Sequence, residues 1–234
     1  MRSLHIPKAV LFDLFHTLVT VPPPALVGEP PISEILGVSG PDWHRLYYDE
    51  DVLGRCVGHV LDGVEAMRRV THRLDPTVDD ARILAAVESR RRRFELGLVR
   101  IENPILDALD RLRAAGIRTV LVSDAGADDV ESWDRSPLPS RLDAAVFSYR
   151  VGVRKPDPRI YGHALDMVGV RAEDALFVGD GGSDELRGAR AVGIPSVLVT
   201  RFLAMYWPER VEERRPLADW EFVDVPALVA AIGV

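Results

Sequence analysis

The chain has 234 residues, 47% of them hydrophobic and 28% charged, an ordinary globular balance that can fill a sizeable core and excludes wholesale disorder. A net charge of -7 argues against a general nucleic-acid or membrane partner, and a single cysteine, Cys56, excludes an internal disulfide and argues against a cysteine-based metal site. No apolar run is long enough to span a bilayer, and Met1 to Lys8 lacks the apolar core of a signal peptide, so the expected location is the cytoplasm.

In chain order, Val10 to Phe12 is a short apolar run that reads as a strand buried on both faces, ending at Asp13. Val21-Pro22-Pro23-Pro24 then stops regular structure. From Ile32 to about Val99 the pattern is helical throughout, with a helix start at Pro41-Asp42-Trp43, helices over Val57–Val70 and Val78–Leu98, and Thr77 or Asp75 as candidate caps for the last. Arg90 to Arg93 lies inside that last helix; four consecutive positions point four ways, so the run reads as a solvated face rather than a phosphate stripe. From Asn103 helices and strands alternate. Helices are expected over Pro104–Ala115, Ile160–Val168 and Leu186–Val192, and strands over Thr119–Val122, Ala144–Phe147, Ala175–Val178 and Ser196–Val199. This βαβ rhythm predicts a Rossmann-like parallel sheet with helices on both faces, formed by residues 1–20 and 100–234, with an all-helical cap, 21–99, inserted into it. The tail from Arg201 holds Trp207, Trp220 and a closing helix near Pro226, and shows no chemical motif.

Open α/β sheets gather their chemistry at the carboxyl ends of the strands. The first strand ends at Asp13; the next ends at Ser123-Asp124; that at Leu176 ends at Asp180, followed by Asp184 and Glu185. Lys155, one of only two lysines, precedes a helix. Carboxylates from separate strands suit a hard cation such as Mg²⁺, and a hydroxyl and a lysine beside them suit a phosphoryl group. Each residue also has a bland reading: Asp13 and Ser123 as turn formers, Lys155 as a loop charge, Asp184 as a first-turn helix acid.

Together four stretches resemble the motifs of the haloacid dehalogenase superfamily of hydrolases: Asp13-Leu14-Phe15-His16-Thr17, Leu121-Val122-Ser123-Asp124, Lys155-Pro156-Asp157-Pro158, and Gly179-Asp180-Gly181-Gly182-Ser183-Asp184-Glu185. The helical insertion lies where this family places a cap. The resemblance implies that Asp13 is a nucleophile forming a covalent aspartyl intermediate, with Thr17 bracing its loop. It implies that Ser123, Asp124, Lys155 and His16 contact the substrate, Lys155 also neutralising charge on the nucleophile. It implies Mg²⁺ on Asp13, the backbone carbonyl of Phe15, Asp180 and Asp184, with Glu185 as the other candidate for the last acid. The implied reaction is hydrolysis of a small phosphorylated metabolite by a monomer or homodimer.

One departure bears on that reading. Phosphatases of the family carry a second aspartate two positions after the nucleophile, and Phe15 stands there. Phe15 cannot protonate a leaving group; His16, with a pKa near the working range, is a candidate substitute. Dehalogenases of 2-haloacids have an aromatic residue at this position, need no metal and generally lack the paired acids kept here. Arg45 or Arg55 of the cap could then hold the carboxylate, and Tyr161 lies beside the lysine motif. A non-catalytic phospho-ligand binding protein is the third reading. Phosphonate-cleaving relatives use a cap lysine, and residues 21–99 contain none.

Overall fold

A computed structural model of the chain describes residues 5–50 and 52–234. The first strand, β1 (Ala9–Phe12), is followed by an irregular segment and then by helices α1 (Ile32–Leu36), α2 (Gly40–His44), a π-helix (Arg45–Glu50), α3 (Val52–Cys56), α4 (Gly63–Leu74) and α5 (Asp80–Val99). The chain continues through α6 (Asn103–Ala114), β2 (Arg118–Ser123), β3 (Ala144–Phe147), α7 (Ser148–Val151), α8 (Pro158–Val168), β4 (Ala175–Gly179), α9 (Glu185–Ala191) and β5 (Ser196–Val199). It ends in α10 (Arg201–Tyr206), α11 (Glu209–Arg214), β6 (Trp220–Phe222) and α12 (Val225–Ala231).

The six strands form one parallel sheet in the order β3-β2-β1-β4-β5-β6. The strand β1 is central, and the strand order reverses between it and β4, which makes the crevice beyond their carboxyl ends the place for a ligand. Side chains of β1 alternate between two cores. Val10 and Phe12 join Leu109, Leu112 and Leu228 on one face, and Ala9 and Leu11 join Ile160, Tyr161 and Phe177 on the other. All four residues of β1 are fully buried. At about 1.5–3 kcal/mol for each large apolar side chain, this strand anchors the fold and fixes where Asp13 emerges.

The segment between β1 and α6 has no strand among its described residues and carries its own apolar cluster, Leu36, Trp43, Tyr47, Met67, Val70 and Ile83 among others. The helix α5 buries Ile83, Val87, Phe94 and Leu98 at helical spacing. Its Gly97 lies against the Thr20 backbone, where a Cβ would stand 2.6 Å from the carbonyl oxygen. A side chain there would push this helix off the segment that follows Asp13.

Several local expectations change. The helix expected over Val57–Val70 is instead α3, an irregular link and α4, because Asp62 caps a new helix by accepting from the Val64 and Glu65 N–H groups. Asp79 caps α5, while Asp75 closes α4 and is bonded by Thr77. Trp220–Phe222 adds an edge strand where the sequence suggested only a tail. Arg90 is not solvated: it is buried and reaches the aspartates that follow β2. Among the described residues, no helix is long and apolar enough to cross a membrane.

Candidate active site

Asp13 leaves the end of β1 with its N–H donating to the Val178 carbonyl at 2.9 Å, so the central strand pair holds its backbone. Thr17 donates its hydroxyl to Asp13 Oδ2 at 3.0 Å. Lys155 Nζ lies 2.6 Å from Asp13 Oδ1 and 2.6 Å from Glu185 Oε2. All three side chains are buried, Lys155 only 2% exposed. The ammonium is therefore a bridge between two carboxylates rather than an exposed loop charge.

Asp13, Asp180 and Glu185 each offer an oxygen, and these oxygens lie within 4.8 Å of one another. Asp180 accepts from the Gly182 N–H at 2.8 Å and from Arg214 Nη1 at 2.9 Å. Glu185 accepts from the Gly181 N–H at 2.9 Å, and Tyr161 donates its hydroxyl to the Glu185 carbonyl at 2.8 Å. Gly179 makes room for this acid: a Cβ there would stand 2.1 Å from Glu185 Oε1.

The expected position of Asp184 in this group is corrected by the structure. Ser183 and Asp184 adopt left-handed backbone conformations, φ 53° and 54°. That turn sends Asp184 outward, exposed and facing Arg187, and brings the next residue, Glu185, inward as the start of α9. The acid in the cluster is Glu185.

The electrostatics follow from three buried carboxylates facing two cations, Lys155 and Arg214. Burial, and to a smaller degree the Asp180 charge, raise the Asp13 carboxyl above its ordinary range, with Lys155 opposing. Burial and the Asp13 charge raise Glu185 strongly. Burial works against the Lys155 ammonium, but Asp13 and Glu185 outweigh it and hold the proton firmly. A lysine so held is a fixed positive charge and not a proton donor. The crowded acids form a hard, oxygen-only donor set that a small divalent cation fits, and such a cation would lower the Asp13 and Glu185 carboxyls that burial raises.

Ser123 ends β2 with its Oγ buried and without a hydrogen-bond partner. Asp124 accepts from the Lys155 N–H at 2.9 Å and lies 3.4 Å from Arg154, so it shapes the lysine loop. Phe15 packs edge-to-face on Phe94 of α5, with ring centroids 5.3 Å apart. His16 has a left-handed backbone, φ 63°, and its ring stands against Tyr206 and Trp207, the latter at 4.9 Å. Burial lowers its pKa, so His16 favours the neutral form. A cavity of about 640 Å³ lies beside them, lined by Phe15, His16, Asp124, Arg154 and Ser183 on the sheet side and by Trp43, Tyr48, Phe94 and Arg93 on the helical side.

Neither cap arginine considered for a carboxylate stands free to take one. Arg45 is exposed and pairs with Asp42 at 3.4 Å. Arg55 lines the cavity, but its guanidinium bonds Asp129. Arg214 was missed by sequence reading altogether. It lies in α11, 34 residues after Asp180, and no local pattern joins the two.

A parallel sheet whose switch point carries a lysine-bridged aspartate and a clustered set of acids defines an α/β hydrolase of the haloacid dehalogenase kind. The chain belongs to the haloacid dehalogenase-like hydrolases, whose sequence model matches residues 7–193. It is similar to a phosphoserine phosphatase of Thermus thermophilus, 34% identical over 109 residues that cover 46% of this chain and 43% of that protein. The chain spans half or less of the length of the curated relatives it matches. Among solved structures it is similar to a phosphatase of the family from Thermococcus onnurineus, with TM-score 0.63 and 22% identity over 97% of this chain and 98% of the other. It is equally similar to a 2-haloacid dehalogenase from Pseudomonas syringae, with TM-score 0.65 and 22% identity over the same shares. At such identities these two likenesses speak for the fold and not for a choice between the reactions.

Proposed function

We propose that this chain is a Mg²⁺-dependent hydrolase of small phosphate esters that works through a phosphorylated Asp13. The observation that carries the reading is the cluster of Asp13, Asp180 and Glu185, because a metal-free displacement has no use for two further buried acids around the nucleophile. On this reading Asp13, the Phe15 carbonyl, Asp180 and Glu185 hold Mg²⁺, and residues 21–99 act as a cap over the site. When bound, the ion supplies Lewis-acid polarisation of the phosphoryl group.

The protein groups have separable tasks. Asp13 Oδ attacks phosphorus in line with the leaving oxygen, forming the aspartyl phosphate and breaking the ester bond. Lys155 offsets the charge gathered on Asp13 and the phosphoryl oxygens, and its 2.6 Å contact with Glu185 keeps it in place. Thr17 orients the second Asp13 oxygen, and Ser123 Oγ donates to the transferred group. Water then attacks the phosphorus of the aspartyl phosphate and releases inorganic phosphate.

Phe15 leaves the departing oxygen without the acid usual at that place, an absence worth roughly a hundredfold to ten-thousandfold for a poor leaving group. The enzyme is therefore selective for esters with good leaving groups. A second reading, dehalogenation of 2-haloacids, rests on the same residue, because halide needs no proton. Phosphate and halide release across a panel of phosphate esters and 2-haloacids, with Mg²⁺ and with EDTA, separates the two. Phosphate release abolished by EDTA supports the first; halide release that survives EDTA supports the second.

A further inference from the structure

The cavity beside the site is much larger than a phosphoryl group requires, and its wall is rich in aromatic and proline side chains, Phe15, Pro23, Pro31, Trp43, Phe94 and Trp207 among them. Four arginines also line it. Arg55 and Arg90 are neutralised by Asp128 and Asp129, and Arg154 lies 3.4 Å from Asp124. Arg93 is different. Its Nε donates to the Pro22 carbonyl at 3.0 Å, and among the described residues its terminal nitrogens meet no carboxylate. Glu29 acts on it from a distance but is bonded by Ser89 and Arg92.

The Arg93 side chain is half-buried, and burial works against its charge. The helical end of the cavity thus presents a guanidinium fork that no carboxylate meets, beside the apolar side chains of Trp43 and Phe94. A planar carboxylate fits such a fork bidentately, and the apolar walls fit a hydrocarbon or aromatic body between the two charged ends.

We propose that Arg93 is a specificity-determining residue that binds a carboxylate at the end of the substrate remote from the phosphoryl group. The substrate is then a phosphate ester of a hydroxy acid with an apolar or aromatic body. This rests on the phosphatase reading above.

The test compares kcat/KM for phenyl phosphate, 4-carboxyphenyl phosphate and 4-(carboxymethyl)phenyl phosphate, in the wild type, Arg93→Gln and Arg93→Lys. A charge-assisted pair in a partly dry site gives about a tenfold or greater preference for a carboxylated ester in the wild type. That preference is expected to fall to near one in Arg93→Gln, chiefly through KM, and to recover in part in Arg93→Lys, which keeps the charge and loses the fork. A wild-type ratio near one for both carboxylated esters, or a ratio that Arg93→Gln leaves intact, overturns the proposal while leaving the phosphatase reading standing. Hydrolysis of none of the three esters overturns the phosphatase reading instead. In that case calorimetric titration with phenylacetate decides on Arg93: binding weakened at least tenfold by Arg93→Gln supports it, and absent or unchanged binding overturns it. Should Arg93→Gln fail to fold, Arg93→Lys carries the same comparison, with an unchanged ratio as the refuting result.

Discussion

Replacing Asp129 by alanine is expected to destabilise the protein by about 3–5 kcal/mol, because it leaves buried Arg55 without a hydrogen-bonded carboxylate and takes one of two carboxylates from buried Arg90. Asp129 lies just beyond β2, where the Gly126 N–H donates to it at 2.8 Å. It receives Arg55 from α3 and Arg90 from α5, so one carboxylate ties two helices of residues 21–99 to the sheet. Asp128 accepts from Arg90 at 2.9 Å but lies 3.9 Å from Arg55, too far to replace its neighbour. Tyr47, stacked under both guanidinium groups, screens them without neutralising them. For 234 residues the unfolding entropy is about 0.5 kcal/mol/K, so Tm should fall by about 6–10 °C. Scanning calorimetry of the wild type and Asp129→Ala measures this, with Lys8→Ala, which breaks an exposed pair with Asp174, as a control within about 1 °C. Burial raises the Asp129 carboxyl, but Arg55 and Arg90 outweigh burial and hold it below the ordinary range. Its contribution is therefore fully present above the unfolded value near pH 4 and is lost as pH falls through the folded value. The stability gap between wild type and Asp129→Asn should accordingly be full at pH 7 and close in acid. A Tm for Asp129→Ala within 2 °C of wild type would refute the reasoning.

Three further outcomes are expected. Glu185→Gln should weaken Mg²⁺ at least about tenfold by calorimetric titration, whereas Asp184→Asn should leave it within about twofold, since only Glu185 faces Asp13. Gly179→Ala should lower both stability, by about 1–3 kcal/mol, and Mg²⁺ affinity, because its Cβ would overlap Glu185 Oε1; unfolding curves and the same titration check this. Phe15→Asp should raise turnover of alkyl phosphates relative to aryl phosphates by about a hundredfold, and should cost about 1 kcal/mol of stability through the lost ring contact with Phe94. An unchanged alkyl-to-aryl ratio would mean that the missing acid is not what limits the reaction.

The first five strands of the sheet were legible because each is a short apolar run ending at a polar residue, and that pattern has few other uses. That Asp13, Lys155 and Asp180 come together was legible for the same reason, each standing beside an element end that the parallel topology brings to one edge, whereas Thr17 was read from the family resemblance alone. The choice between Asp184 and Glu185 was not legible, because it turns on two left-handed backbone positions whose side chains, serine and aspartate, give no sign of it. Arg90 misled for a different reason. Its run of four arginines looks solvated, and the two aspartates that bury it come 38 and 39 residues later in a different element. Arg214 and the edge strand at Trp220 were hidden likewise, since only tertiary packing of the tail brings them to the sheet. Long-range charge pairing leaves no local period to read.

The most direct test of the central claim is to trap the intermediate. The protein is mixed with a good-leaving-group aryl phosphate in Mg²⁺, quenched in acid within one turnover, and digested for mass spectrometry. A phosphoryl adduct is expected on the peptide carrying Asp13, absent with EDTA and absent in Asp13→Asn. Phosphate release without any adduct on Asp13, or turnover that persists in Asp13→Asn, would contradict the claim.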